Sequence, residues 1–134
     1  MPGSSGTPLV KTLGIRDGMR LAALNAPADY PSWLERLPVG TRIEQRLRRP
    51  AAAVHLFVTT RRELERMLPR LRRALEPSGF VWVSWPKKSA GVSTDVTEDT
   101  IRDVALPLGF VDVKVCAVTE TWSGLKLVIR TSER

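Results

Sequence analysis

Apolar positions along this chain recur with two periods, near two and near 3.6, and the changes between them mark out the elements. Met19–Leu24, Val54–Val58 and Phe80–Trp85 are short apolar runs bounded by turn residues, which predicts strands. Val54–Val58 reads as a central strand covered on both faces. In Thr41–Leu47, Ile43 and Leu47 alternate with charged neighbours and predict a further strand. Between these runs the period lengthens. Leu64, Met67, Leu68, Leu71, Ala74 and Leu75 share one helical face, with Thr59 or Thr60 as cap and Glu63 in the first turn. Ile101, Val104, Ala105 and Leu108 form a second such face behind a cap at Asp95 or Thr97. Shorter helices are predicted at Leu9–Leu13 and Ala28–Leu37. A mid-helix proline costs about 3 kcal/mol, against on the order of 10 kcal/mol gross from burying the long helix's apolar face. That helix therefore survives Pro69, with a kink or break expected near Arg66–Leu68. Phe110–Thr119 alternates, with Val111, Val113, Val115 and Ala117 on one side and Asp112 and Lys114 on the other. Ser123-Gly124 turns it into a last strand, Leu125–Thr131, as an antiparallel hairpin.

Strand and helix thus alternate until a hairpin closes the chain. This order predicts a three-layer, Rossmann-like α/β fold: a mostly parallel sheet with right-handed helical crossovers and a C-terminal antiparallel hairpin. Residues 1–8, rich in Gly, Ser and Pro, are expected to be a flexible lead-in to a single α/β domain over 9–134.

Composition narrows the class. At 134 residues, 43% hydrophobic and 26% charged, the chain suits one globular domain. The lone cysteine, Cys116, excludes an internal disulfide, and with a single histidine it excludes a conventional His/Cys zinc cluster. Neither a signal-peptide pattern nor an apolar run of membrane length is visible, so a cytoplasmic location is expected. The net charge of +7 is unevenly placed: residues 1–80 carry fourteen Lys or Arg against seven Asp or Glu, and residues 81–134 carry seven of each. Such a half suits an anionic partner or a solvated surface. Within it Arg62, Arg66, Arg70 and Arg73 form a helical stripe that a polyanion such as nucleic acid would fit, although no nucleic-acid motif accompanies them.

In open parallel sheets, ligands bind beyond the carboxyl ends of the strands. That rule gathers Asn25-Ala26-Pro27, Thr59-Thr60-Arg61, Trp85-Pro86-Lys87-Lys88 and Thr121-Trp122-Ser123 along one rim. The candidate ligand residues are Asn25, Arg61, Lys87, Lys88 and Trp122. Their cations and indole suit an anionic or nucleotide-like small molecule. His55, inside the central strand, is expected to be buried and hydrogen-bonded rather than catalytic. The acids Asp95, Glu98, Asp99 and Asp103 gather around a helix start, where Glu98 and Asp99 favour its dipole. No catalytic residue, metal ligand, glycine-rich phosphate loop or serine elbow stands out.

Two passages, Leu13-Gly14-Ile15-Arg16-Asp17-Gly18-Met19-Arg20-Leu21 and Leu71 to Val83 with its Pro77-Ser78-Gly79 turn, resemble parts of a shortened class I methyltransferase-type Rossmann fold. Over nearly its whole length the chain also resembles a bacterial domain family of unknown function, typified in actinobacteria. The features are the Leu-Gly-Ile start, Val54-His55-Leu56-Phe57-Val58, Trp82-Val83-Ser84-Trp85-Pro86-Lys87 and Trp122-Ser123-Gly124-Leu125. This resemblance implies the fold and no activity. Methyltransferases bind S-adenosylmethionine over a glycine-rich loop after the first strand, but Leu24-Asn25-Ala26-Pro27-Ala28-Asp29-Tyr30 contains no glycine. Nor does an acid for the ribose stand out after the second strand, since Glu44 lies mid-strand. The expectation is therefore no cofactor, S-adenosylmethionine included, and a non-catalytic binding or regulatory module rather than an enzyme. One alternative is an atypical methyltransferase-like enzyme with a pocket at Asn25 to Asp29; another is a polyanion-binding protein using the arginine stripe. A monomer fits, and so does a homodimer paired through the last strand, which Lys126 and Arg130 otherwise guard.

Overall fold

Alternate side chains of a six-stranded sheet feed two separate cores. The computed structural model describes residues 7–134; of the lead-in expected at 1–8, residues 1–6 lie outside the described part. The strands are β1 (Arg20–Leu24), β2 (Arg42–Glu44), β3 (Ala51–Phe57), β4 (Leu75–Pro86), β5 (Phe110–Ala117) and β6 (Trp122–Ile129), and their order in space is β2-β1-β3-β4-β6-β5. The first four run parallel, and β6 is antiparallel to both β4 and β5. The helices are α1 (Leu9–Leu13), α2 (Tyr30–Trp33), α3 (Arg61–Ala74) and α4 (Glu98–Ala105). Leu56, Val81 and Val83 meet Leu64, Leu68 and Leu71 of α3 and Ile101 of α4 in the first core. Leu21, Phe57, Phe80 and Trp82 meet Leu9 and Leu13 of α1 and Tyr30 of α2 in the second. The three-layer, Rossmann-like α/β expectation therefore holds. Among the described residues no helix is long and apolar enough to cross a membrane.

Several expected elements change length. The second strand shrinks to Arg42–Glu44, and residues 45–50 return directly to β3 with no helix. Parallel strands usually need a crossover of about a dozen residues or more. This return is possible because β2 rises only about 10 Å, and Leu47 anchors it on the first core. Thr60 caps α3 through a capping box with Glu63, and the helix runs unbroken through Pro69, so of the expected kink or break there is no break. Burial of Leu64, Leu68 and Leu71 outweighs the missing N–H. β4 starts at Leu75, straight from α3, and slips in register against β3 before Phe80. A Cβ on Gly79 would lie 2.9 Å from the Ala51 carbonyl oxygen, so only glycine lets the chains approach this closely at the slip.

The hairpin differs in one consequential way. β6 lies inside the sheet, between β4 and β5, so the last strand is not an edge and cannot pair with a second copy as expected. The edges are β2 and β5. Lys126 does not guard an edge but lies over the Phe80 ring, 4.6 Å from its centroid, and Arg130 bonds Glu133 at 3.2 Å. A bulge between Asp112 and Lys114 interrupts the regular alternation of β5. It leaves Val113 and Val115 exposed by 54% and 51%.

Candidate functional site

The order β2-β1-β3 sends the chain from β1 to one side of the sheet and from β3 to the other. Connections that diverge this way open a crevice beyond the carboxyl ends of the strands. Asn25, the residue after β1, spans it: its side-chain amide donates to the Phe57 carbonyl of β3 at 3.4 Å. Asn25 has φ 59° and is the sole non-glycine residue of positive φ among the described residues. Asparagine tolerates this left-handed geometry, so the tight turn that glycine usually supplies is made without one. Beside it lies a cavity of about 340 Å³, walled by Asn25, Ala28, Tyr30, Ile43 and Gln45. Its polar side chains include the neutral amides of Asn25 and Gln45. Glu44 is absent, because it points to the opposite face and meets Arg20 at 3.0 Å and Arg48 at 3.3 Å.

Behind the cavity runs a buried polar chain. The Tyr30 hydroxyl lies 2.7 Å from His55 Nδ1, and His55 Nε2 lies 2.7 Å from the Ser84 hydroxyl. Burial pushes the His55 pKa down to about 3 and raises that of the Tyr30 phenol. The ring is therefore neutral, with one nitrogen donating and the other accepting. Tyr30 packs edge-on against Trp33, His55 and Phe57 at 5.3, 5.3 and 5.4 Å. This network orients Tyr30; it presents no nucleophile, since Ser84 and His55 are fully buried. Tyr30 and Ser84 were not among the expected site residues. The available signal was the lone hydroxyl of Ser84 in an otherwise apolar central run, which demands a partner.

Four of the five expected rim residues lie along one edge. Trp122 packs edge-on against Phe57 at 5.0 Å, and Phe57 holds Asn25. Trp122 also pairs with Pro86, and the Lys87 N–H donates to the Thr121 carbonyl at 2.8 Å. Lys88 follows in an exposed turn. Arg61 stands apart, at the start of α3 on the side of the first core. Its N–H donates to Asp95 at 2.7 Å, and its guanidinium meets Glu65 at 3.1 Å and Asp103 at 3.9 Å. Glu98 and Asp99 are bound by Arg102, so the acidic group around α4 is occupied with ion pairs. Arg62, Arg66, Arg70 and Arg73 are exposed along α3. Cys116 is half-buried, and burial raises its thiol pKa, away from the reactive thiolate.

A sheet of this order, parallel except for the single antiparallel strand β6, is the class I methyltransferase-type Rossmann fold. Solved structures bear this out. A provisionally assigned type 11 methyltransferase from Sulfolobus solfataricus matches with TM-score 0.66 and 12% identity, over 100% of this chain and 96% of that one. A ribosomal protein L11 methylase from Lactobacillus delbrueckii subsp. bulgaricus matches with TM-score 0.57 and 10% identity, over 91% of this chain and 75% of that one. LepI in complex with SAM matches with TM-score 0.52 and 12% identity, over 91% of this chain and 39% of that one. No family model and no curated protein sequence matches the chain, so the resemblance to an actinobacterial family gains nothing there. Against these neighbours two expectations fall: that the chain takes no cofactor, and that it is not an enzyme. The missing glycines do not exclude this fold's turn after the first strand, because Asn25 adopts the left-handed geometry there.

Proposed function

We propose that the protein is an atypical methyltransferase-like enzyme that holds the adenosine part of S-adenosylmethionine in the crevice between Asn25 and Gln45. The observation that carries this reading is the cavity of about 340 Å³ at the carboxyl ends of β1 and β2, next to the point between β1 and β3 where the sheet order reverses. A cavity of that size falls at the small end of ligand sites, which start at about 300 Å³. The residues present fit the group. Ile43 and Pro27 offer apolar wall for a purine, and the amides of Asn25 and Gln45 both donate and accept, as ribose hydroxyls require. Gln45 takes the place of the absent acid. When bound, the cofactor supplies an electrophilic methyl group. The chain's own residues position: His55 holds Tyr30 from behind, and Tyr30 holds the wall of the crevice. Lys87, Lys88 and Trp122 continue the same rim and favour an anionic acceptor.

Titration of the full chain with S-adenosylhomocysteine, followed by calorimetry, tests the reading. Saturable binding is expected. Gln45→Ala should weaken it about tenfold, the worth of one or two hydrogen bonds, and Ala28→Trp should block it by filling the cavity. No binding at millimolar concentration, or binding indifferent to both substitutions, would remove the site.

A further inference from the structure

The reverse side of the β1–β2 pair bears a second concavity, of about 320 Å³, near the amino ends of β1, β2 and β3. Arg20 pairs with Arg42 and Ala22 with Glu44, so these four side chains share one face. Ala23 and Ile43, which line the adenosine crevice or pack beside it, face the other way. The helix-free return at residues 45–50 brings Arg46 and Arg48 to the first face. Four arginines thus line a hollow whose other walls include small residues, Ala22 and Ala51 among them.

One carboxylate answers them. Glu44 Oε1 meets Nε of Arg20 at 3.0 Å and Nε of Arg48 at 3.3 Å. Both contacts use Nε, so the terminal N–H groups of both forks stay available. The guanidiniums of Arg42 and Arg46 have no hydrogen-bond or ion-pair partner among the described residues. Residues 1–6 contain no acid that could serve as one. Three positive charges are left unmatched in a concave site. Glu44 Oε1 is buried and makes no hydrogen bond of good geometry with either arginine, so it holds the two guanidiniums near the hollow by charge alone. Guanidinium forks match phosphate oxygens in paired hydrogen bonds. The four exposed arginines converge on one open concavity rather than along a line, which suits a compact anion better than an extended polymer, and the excess charge favours a diphosphate over a single carboxylate.

We propose that Arg20, Arg42, Arg46 and Arg48 form a binding site for a small diphosphate-bearing anion, separate from the adenosine crevice and on the opposite face of the same two strands. The claim is independent of methyl transfer. Its test is calorimetric titration of the full chain with inorganic pyrophosphate at physiological salt. Saturable binding is expected, and the double variant Arg42→Gln/Arg46→Gln should weaken it about tenfold or more, as loss of charge-assisted bonds predicts. That variant breaks no ion pair, so its thermal midpoint should stay in place, and its binding of S-adenosylhomocysteine should match that of the unaltered chain. Arg70→Gln/Arg73→Gln, on the exposed face of α3, should leave pyrophosphate binding unchanged. Equal weakening by both double variants would show general charge attraction and overturn the proposal. Absence of binding would do the same, as would tighter binding of single-stranded RNA than of pyrophosphate through Arg42 and Arg46.

Discussion

An imidazole held between a phenol and a hydroxyl, out of reach of water, makes the fold sensitive to acid. His55 lies 2.7 Å from both Tyr30 and Ser84, and burial lowers its pKa from 6.5 to about 3. The folded state therefore refuses a proton that the unfolded chain accepts. A group whose folded pKa is depressed contributes its full stability above its unfolded pKa, and that stability drains away as pH falls. Here the window runs from about 6.5 down to about 3. Within it the slope is about 1.4 kcal/mol per pH unit. Because His55 is the one histidine, little else titrates in the upper part of the window. Urea denaturation at about pH 7.5 and about pH 5 should differ by about 2 kcal/mol, and His55→Leu should remove that difference. Equal stability at both pH values in the unaltered chain would mean that the ring is charged in the fold. The burial of His55 was legible from the apolar run around it. Its partners were not, because they come from positions 30 and 84. Asn25 shows the same limit: the absence of glycine was visible, and the left-handed turn that compensates for it was not.

Single elements follow local pattern where their apolar faces are long, and depart from it where neighbours decide. The faces of α3 and α4 and both capping threonines, Thr60 and Thr97, fall where period and caps place them. β2 is shorter than its alternation suggests, since at the edge it has one neighbour, β1, and only three residues find partners there. α2 ends after Trp33 because Leu34 leaves helical geometry to bury its side chain. α3 persists through Pro69, at a cost that can be measured. Alanine there restores the N–H that the Glu65 carbonyl lacks and relieves the ring's clash with it, a gain of up to about 3 kcal/mol. It also frees the unfolded chain, which offsets about 0.4–1 kcal/mol. Pro69→Ala should thus stabilise the fold by about 1–2 kcal/mol, read as a higher urea midpoint with unchanged slope. A lower midpoint would show that the half-buried proline ring fills space a methyl group leaves empty.

At the scale of the whole molecule, alternation of strand and helix gave away the parallel sheet, while the order of the last three strands stayed hidden. Either strand of a hairpin can dock on β4, and the choice of β6 rests on packing of Leu125 and Leu127 into the first core. The candidate crevice was foreseeable from the rule about strand ends. The arginine-lined concavity was not, since it depends on a crossover without a helix. Both hollows share β1 and β2, and both cores share the central strands, so neither half of the molecule has a surface of its own to retain. Trp85 faces the first core and Trp82 the second, where its indole N–H donates to the Leu13 carbonyl at 2.9 Å and ties α1 to the sheet. Loss of either layer would strip β3 and β4 on one side and expose apolar side chains that nothing else covers. Unfolding should therefore be a single transition. In Trp85→Phe, the remaining indoles at 33, 82 and 122 all report the second core, whereas far-ultraviolet circular dichroism reports every element. The two signals should trace one urea curve in that variant. A fluorescence midpoint below the dichroism midpoint would mean that α1 and α2 open first, with the second layer as a removable cover rather than half of a shared core.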